Sequence, residues 1–142
     1  MQKEFSKEWI SSVQPRKQRK FRYNAPMHIR RQMISAHLDK VLRKEYGRRS
    51  IPVRKGDEVK VVRGGFAGTV GKITRVDLKS LKIYLDNAKR AKVSGQEVEV
   101  AIDPSNVIVM KISLDDKKRK KFVTRKEAKK QEQPKKEKPV KK

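Results

Sequence analysis

Basic side chains and aromatic rings alternate within residues 15–23, which read PRKQRKFRY. Guanidinium and ammonium groups neutralise phosphates and aromatic rings stack on unpaired bases, so this composition is typical of a nucleic-acid contact. The segment is too polar to bury a core of its own, and we expect it to be extended in isolation. A solvated linker is the alternative, because charge runs often form only a hydrated surface. The residues concerned are Arg16, Lys17, Arg19, Lys20, Phe21, Arg22 and Tyr23.

The residue types from which active sites are built are scattered along the chain. His28 and His37 are more than two helical turns apart, so they do not converge as metal ligands at i and i+4 would. Asp57 and Glu58 are adjacent and would point to opposite faces of a strand. The absence of cysteine excludes disulfides and thiol chemistry. We therefore expect no enzyme, no bound metal and no cofactor, because a nucleophile, a base and an orienting group do not come together.

Five of the seven glycines lie within residues 56–71. Their spacing matches neither G-x-x-x-x-G-K-[ST] nor G-x-G-x-x-G, so a nucleotide-binding loop is not indicated. Glycine allows tight turns and close backbone approach. The pattern therefore predicts a turn at residues 55–57 that leads into a strand at Val59, and a loop at residues 64–68 that reverses the chain before the next strand.

Charge is concentrated at the two ends of the chain. The 142 residues include 40 Lys and Arg against 16 Asp and Glu, a net charge of +24, of which residues 1–50 and 111–142 contribute +10 each. Only 35% of residues are hydrophobic and 39% are charged, which predicts a small core and a partner rich in negative charge. The longest apolar run, residues 107–110, is far shorter than the roughly 18–20 residues of a membrane span. With no apolar stretch near the N-terminus to act as a signal peptide, we expect a soluble intracellular protein.

The elements that would carry the basic residues change along the chain. A weak helical stripe of Phe5, Trp9 and Val13 precedes the basic segment, and residues 24–47 have a helical pattern. Asn24 can cap this second segment, with Pro26 in its first turn and Gly47 at its end. We expect two short helices there, the second capped by Ser35. Their apolar stripe consists of Ile34, Leu38, Val41 and Leu42.

Residues 51–110 contain five short runs in which apolar and polar residues alternate, the pattern of half-buried strands. Their close spacing predicts a small all-β barrel or sandwich. After residue 114 the sequence becomes Lys-rich and includes Pro134 and Pro139, so we expect a disordered tail. The predicted organisation is a basic arm (1–23), a helical extension (24–50), a barrel (51–114) and a Lys-rich tail (115–142).

Residues 55–76 resemble a KOW motif, with alternating apolar positions and then Gly64, Gly68 and Gly71 before a basic strand. The flanking sequences QPRKQRKFRYNAPMHIRRQM, RRSIPVRKGDEVKVVRGGFAG and IDPSNVIV resemble, in this order, the KOW-type large-subunit ribosomal proteins of archaea and eukaryotes. The resemblance spans residues 14–127. Asp103 departs from it, since relatives often have His before Pro-Ser, and residues 1–13 have no counterpart.

The resemblance implies a mainly β fold: a small five-stranded SH3-like barrel with an N-terminal helical extension that lies on ribosomal RNA. It also implies a structural constituent of the large ribosomal subunit that binds rRNA directly, supports subunit assembly and lies near the exit of the peptide tunnel. The expected location is the cytoplasm, in the ribosome. Expected partners are large-subunit rRNA, neighbouring ribosomal proteins and nascent-chain factors, without homo-oligomers. The implied RNA contacts are the residues of the arm, together with Asn24, His28, Arg30, Arg31, Arg48, Arg49, Arg54, Arg63 and Lys72.

Residues 86–96, DNAKRAKVSGQ, form a basic connection between two predicted strands. The resemblance implies a projecting hairpin here, with Lys89, Arg90 and Lys92 as further RNA contacts. An exposed polar loop without a specific partner is the alternative.

Two other functions fit parts of the pattern. A KOW-domain transcription elongation factor would be expected to carry an α/β domain or further KOW repeats, for which this chain has no room. A nucleic-acid packaging protein driven by charge alone would need neither the glycine-rich barrel nor the aromatic spacing of residues 15–23.

Overall fold

The computed structural model describes residues 5–6 and 12–123. It begins with two short helices, α1 (Pro15–Asn24) and α2 (Met27–Met33). Pro15 occupies the first turn of α1, where its missing N–H costs no hydrogen bond. Ala25, which precedes Pro26, is extended and ends the helix.

The expectation that residues 15–23 are extended is therefore wrong. Lys, Arg and Gln are good helix formers, and the Phe21 ring packs against Phe5 with ring centroids 4.8 Å apart. Asn24 ends α1 instead of capping a later helix, and Pro26 takes the cap position of α2. The predicted stripe of Phe5, Trp9 and Val13 lies partly outside the described residues.

The second predicted helix begins later than expected, because residues 35–38 form a strand. This strand, β1 (Ser35–Leu38), pairs antiparallel with β2 (Ser50–Pro52) and buries alternate residues. Ile34 and Leu38 fit a helical stripe, but together with Ala36 they also fit a period of two, and pairing in the sheet decides between the two patterns. Helix α3 (Lys40–Tyr46) is capped by Asp39, not Ser35, and ends as predicted at Gly47, which has a φ of +57°.

The main sheet has six strands in the order β2-β1-β8-β3-β4-β5. Its other strands are β3 (Glu58–Val61), β4 (Val70–Asp77), β5 (Lys82–Leu85) and β8 (Val107–Lys111), and neighbours are antiparallel except β1 and β8. Strands β6 (Lys89–Ala91) and β7 (Glu97–Glu99) form a separate pair, and a 3-10 turn (Pro104–Asn106) precedes β8.

A mainly β fold is confirmed, and it is compatible with a small barrel. The count of five strands is not confirmed, since the described residues form eight strands. Strands β2 and β6 were not predicted, because runs of three residues give no clear period, and β1 was predicted as part of a helix. Each strand of the main sheet contributes buried side chains to one core, which contains Leu38, Ile51, Val59, Val61, Ile73, Ile83, Leu85, Val107 and Val109.

The predicted turns are confirmed. Gly56 has a φ of +89°, which L residues rarely adopt, and the turn leads directly into β3. The loop of residues 64–68 reverses the chain between β3 and β4, where Gly68 donates its N–H to the carbonyl of Val61 at 2.8 Å. Gly71 is needed for space, since a Cβ there would collide with the Asp86 carboxylate.

The expectation of a disordered tail is wrong for residues 115–123. Residues 117–123 are helical, and Arg119 and Val123 are buried. The Arg119 guanidinium donates two hydrogen bonds of 2.6 and 2.7 Å to the fully buried Asp57 carboxylate. A buried carboxylate requires such a partner, so this pair attaches the segment to the start of β3. The remainder of the predicted tail, from residue 124, lies outside the described residues.

Across residues 5–6 and 12–123, no helix is long and apolar enough to cross a membrane.

Candidate nucleic-acid interface

Helix α1 presents most of the predicted arm residues to solvent. None of its ten residues is buried, and its sequence PRKQRKFRYN includes no acidic residue. The Tyr23 side chain is 81% exposed, so its ring is available for stacking. Phe21 differs, because its half-buried ring packs on Phe5. The exposed basic residues are Arg16, Lys17, Arg19, Lys20 and Arg22.

A cleft of about 1240 Å³ separates the C-terminal half of α1 from the turn between β4 and β5. Five of the residues lining it are Arg or Lys, and one is acidic. The lining consists of Arg19, Lys20, Arg22, Tyr23, Asn24, Arg30, Asp77, Lys79, Ser80 and Leu81. The first six of these are predicted RNA contacts. The other four were not predicted, and the turn brings them opposite α1.

Arg30 connects the two walls of this cleft. Its Nε donates to the carbonyl of Ala25 at 2.9 Å, and Nη2 donates to that of Tyr23, at the end of α1. Its Nη1 donates to the carbonyl of Lys79 in the facing turn at 3.1 Å. Three of the five guanidinium N–H groups are thus engaged with protein backbone. Arg30, predicted as an RNA contact, here positions α1 against the turn between β4 and β5.

Asp77 supplies the negative charge in the cleft and stabilises the turn. Its carboxylate accepts hydrogen bonds from the Lys79 N–H at 2.8 Å, the Ser80 N–H at 3.3 Å and the Ser80 hydroxyl at 2.6 Å. The Ser80 hydroxyl and then these backbone bonds lower the pKa of Asp77, so the group is ionised at neutral pH. The turn ends at Leu81, whose φ of +58° is unusual for a residue other than glycine.

Two other predicted RNA contacts bind to the C-terminal segment of residues 113–123 instead. Arg48 donates to the carbonyl of Phe122 at 2.7 Å, and its Cζ lies 4.2 Å from the centre of the Phe122 ring. Arg54 pairs with the Asp116 carboxylate at 2.5 Å, and this hydrogen bond lowers the pKa of Asp116. Both arginines therefore act in the structure as protein contacts that hold the segment in place.

The basic connection at residues 86–96 does form a hairpin, from β6 and β7. Lys89 pairs with Glu97 across it, with Nζ 3.1 Å from Oε2, and Gly95 has a φ of +81° in the turn. Residues 89–98 are all exposed, including Arg90 and Lys92. At the base, Glu99 accepts a hydrogen bond from the Thr74 hydroxyl at 3.0 Å, which joins the hairpin to β4.

The remaining predicted residues do not line the cleft. His28 and Arg31 are exposed on α2, and Arg49 is exposed just before β2. Arg63 is exposed in the loop after β3, and Lys72 is exposed on β4. The exposed Lys117, Lys118 and Lys121 of the C-terminal segment were not among the predicted contacts, because a run of lysines is typical of an unstructured tail.

The described residues offer no alternative site for metal chemistry, since no group of three or more His, Cys, Asp and Glu is placed to hold an ion there.

The model of a family that comprises the ribosomal proteins L26 of eukaryotes and L24 of archaea matches residues 12–126. The chain belongs to this family. A relative in Methanosphaera stadtmanae, "Large ribosomal subunit protein uL24", is 48% identical over 115 residues, which cover 81% of this chain and 98% of the relative.

Membership of the family confirms the resemblance found in the sequence, including its archaeal and eukaryotic type. The protein is a ribosomal protein with a structural role and is not an enzyme, and it is part of the ribosome in the cytoplasm. Neither comparison supports the two alternative functions, transcription elongation and nucleic-acid packaging.

Proposed function

We propose that the protein is a structural constituent of the large ribosomal subunit that binds rRNA directly through α1 and the adjoining cleft. The observation that carries this proposal is the cationic surface of α1, which has no acidic residue and is held in a fixed orientation by Arg30. The large-subunit relative from Methanosphaera stadtmanae supports the choice of RNA.

Binding at this surface is electrostatic in origin. Each phosphate that a Lys or Arg side chain neutralises releases condensed counterions, and this release supplies affinity with little sequence preference. The choice of RNA site then depends on RNA shape and on stacking of unpaired bases against exposed rings such as Tyr23.

The hairpin of β6 and β7 is the surface we assign to the region near the tunnel exit. Its exposed residues and the basic Arg90 and Lys92 suit contact with rRNA and neighbouring ribosomal proteins. A role in subunit assembly follows the family resemblance, since a folded barrel with a basic arm can join two RNA segments. Contact with nascent-chain factors and a monomeric state remain predictions.

Sedimentation of a tagged full-length chain tests this proposal. We expect the chain to co-sediment with the large ribosomal subunit and its precursors in a salt-washed gradient, and to be absent from the small subunit. Depletion of the protein is expected to reduce the ratio of large to small subunits. A chain found only in the unbound fraction, or distributed equally between subunits, contradicts the proposal.

A further inference from the structure

The cleft beside α1 has a shape that binding to the RNA backbone alone does not require. Lys and Arg side chains on a convex helix can reach phosphates along a duplex without any recess. A base within a paired helix is stacked and does not enter a cleft, whereas an unpaired base can be splayed out of the RNA and bound. The recess of about 1240 Å³ therefore suits an unpaired base and is not needed for contact with a duplex backbone.

The walls of the cleft provide three kinds of contact that a nucleotide requires: cations, a stacking surface and an apolar contact. Arg19 and Arg22 on α1 supply cations for a phosphate, and Lys79 adds another from the facing turn. The exposed ring of Tyr23 provides a flat stacking surface, and Leu81 provides an apolar contact within the lining.

Asp77 determines how a nucleotide is oriented in this cleft. The ionised carboxylate repels a phosphate, which therefore lies on the α1 side of the cleft. Three of the roughly four acceptor positions of a carboxylate are filled by the turn, which leaves one on Oδ2. A base edge with N–H donors, such as that of guanine, is complementary to this remaining position.

We propose that the cleft receives one unpaired nucleotide of the bound RNA, with its phosphate against Arg19 and Arg22 and its base against Tyr23 and Leu81. This inference rests on the proposed function, because it names the RNA feature that the same surface recognises. Arg30 is a positioning residue here, since it fixes the separation of the two walls through the carbonyls of Tyr23 and Lys79.

Three two-stranded RNA duplexes with the same flanking sequence and no hairpin loop test the inference with the full-length protein. The first is fully paired, the second carries a single bulged guanosine, and the third carries an abasic residue at the bulge. The second and third have the same charge and backbone, so the difference between them isolates the base. We expect the guanosine bulge to bind about tenfold more tightly than the abasic bulge, the effect of one stacked base.

Variants of Tyr23 link this preference to the cleft. Tyr23→Ala is expected to abolish the preference while affinity for the fully paired duplex stays within about twofold, and Tyr23→Phe retains the ring and the preference. Met27→Ala is the control, because Met27 is exposed at the start of α2 outside the cleft lining. Equal binding of the two bulged duplexes by the wild type overturns the inference but not RNA binding. An equal loss of affinity for all three RNAs in Tyr23→Ala also overturns it, and a wild type that binds none of them overturns the proposed function.

Discussion

Helix α1 and the C-terminal segment of residues 113–123 are both basic, but their cations have different surroundings. The cations of α1 extend from a helix without acidic residues. In the C-terminal segment, the Arg119 guanidinium is buried against the Asp57 carboxylate, and Asp116 pairs with Arg54, which lies just before β3. A high density of Lys and Arg is therefore ambiguous by itself, and the position of nearby carboxylates decides whether a cation holds the fold together or faces a partner.

The largest effect predicted from this comparison is on stability. Arg119→Ala leaves the buried Asp57 carboxylate with two backbone N–H donors but no opposite charge, so we expect the free energy of unfolding to fall by about 3–5 kcal/mol in denaturant titrations. The matched control is Lys111→Ala, which removes a pair between Glu58 and a Lys side chain that is 79% exposed, and it should cost at most about 1 kcal/mol. A similar fall in the free energy of unfolding for the two variants would contradict the distinction between the buried pair and the exposed pair.

The second effect is on RNA binding, and it should spare stability. Arg19→Ala/Arg22→Ala removes two cations from α1, so the slope of the logarithm of the binding constant against that of the salt concentration should become shallower by about two. Because both residues are exposed, stability should change by less than about 0.5 kcal/mol per substitution. Lys55→Ala/Lys60→Ala removes the same charge from exposed positions before and on β3, outside the predicted contacts, and serves as the control. An equal change of slope in the control would show that net charge matters and the α1 surface does not.

The smallest effect concerns the pH dependence of stability. Arg54 lowers the pKa of Asp116 below its ordinary value of 3.8, so the ionised carboxylate stabilises the fold. This contribution is complete above pH 3.8 and is lost as the pH falls through the lowered pKa of the folded state. Comparison of the wild type with Asp116→Asn should therefore show a small difference in melting temperature near neutral pH that disappears in strong acid. A difference that grows on acidification would contradict the assignment of the pair.

The parts of the fold that follow from local pattern were predictable from the sequence. The strands at Val59, Ile73, Ile83 and Val107 alternate clearly, and the turn at Gly56 has strong local preferences. The pattern of residues 34–38 predicts a helix because Ile34 and Leu38 lie four positions apart. Ala36 between them fits only a strand, and the pairing with β2 and β8 makes the segment a strand.

The features that depend on contacts distant in sequence were not predictable. The pair of Asp57 and Arg119 joins residues 62 positions apart, and no local pattern marks Arg119 among its lysine neighbours. The role of Arg30 likewise depends on Lys79, 49 positions away. The composition of residues 15–23 indicated an RNA contact, but the cleft exists only because the turn at residues 77–81 faces α1.

The most direct test of the central claim is to crosslink the tagged protein to RNA in cells, sequence the attached RNA and identify the crosslinked peptide by mass spectrometry. We expect crosslinks at a few neighbouring sites in large-subunit rRNA, with the peptide that contains Tyr23 among those attached. Crosslinks spread over nascent transcripts would contradict it in favour of an elongation factor. Crosslinks to rRNA that never involve α1 would contradict the assignment of the interface.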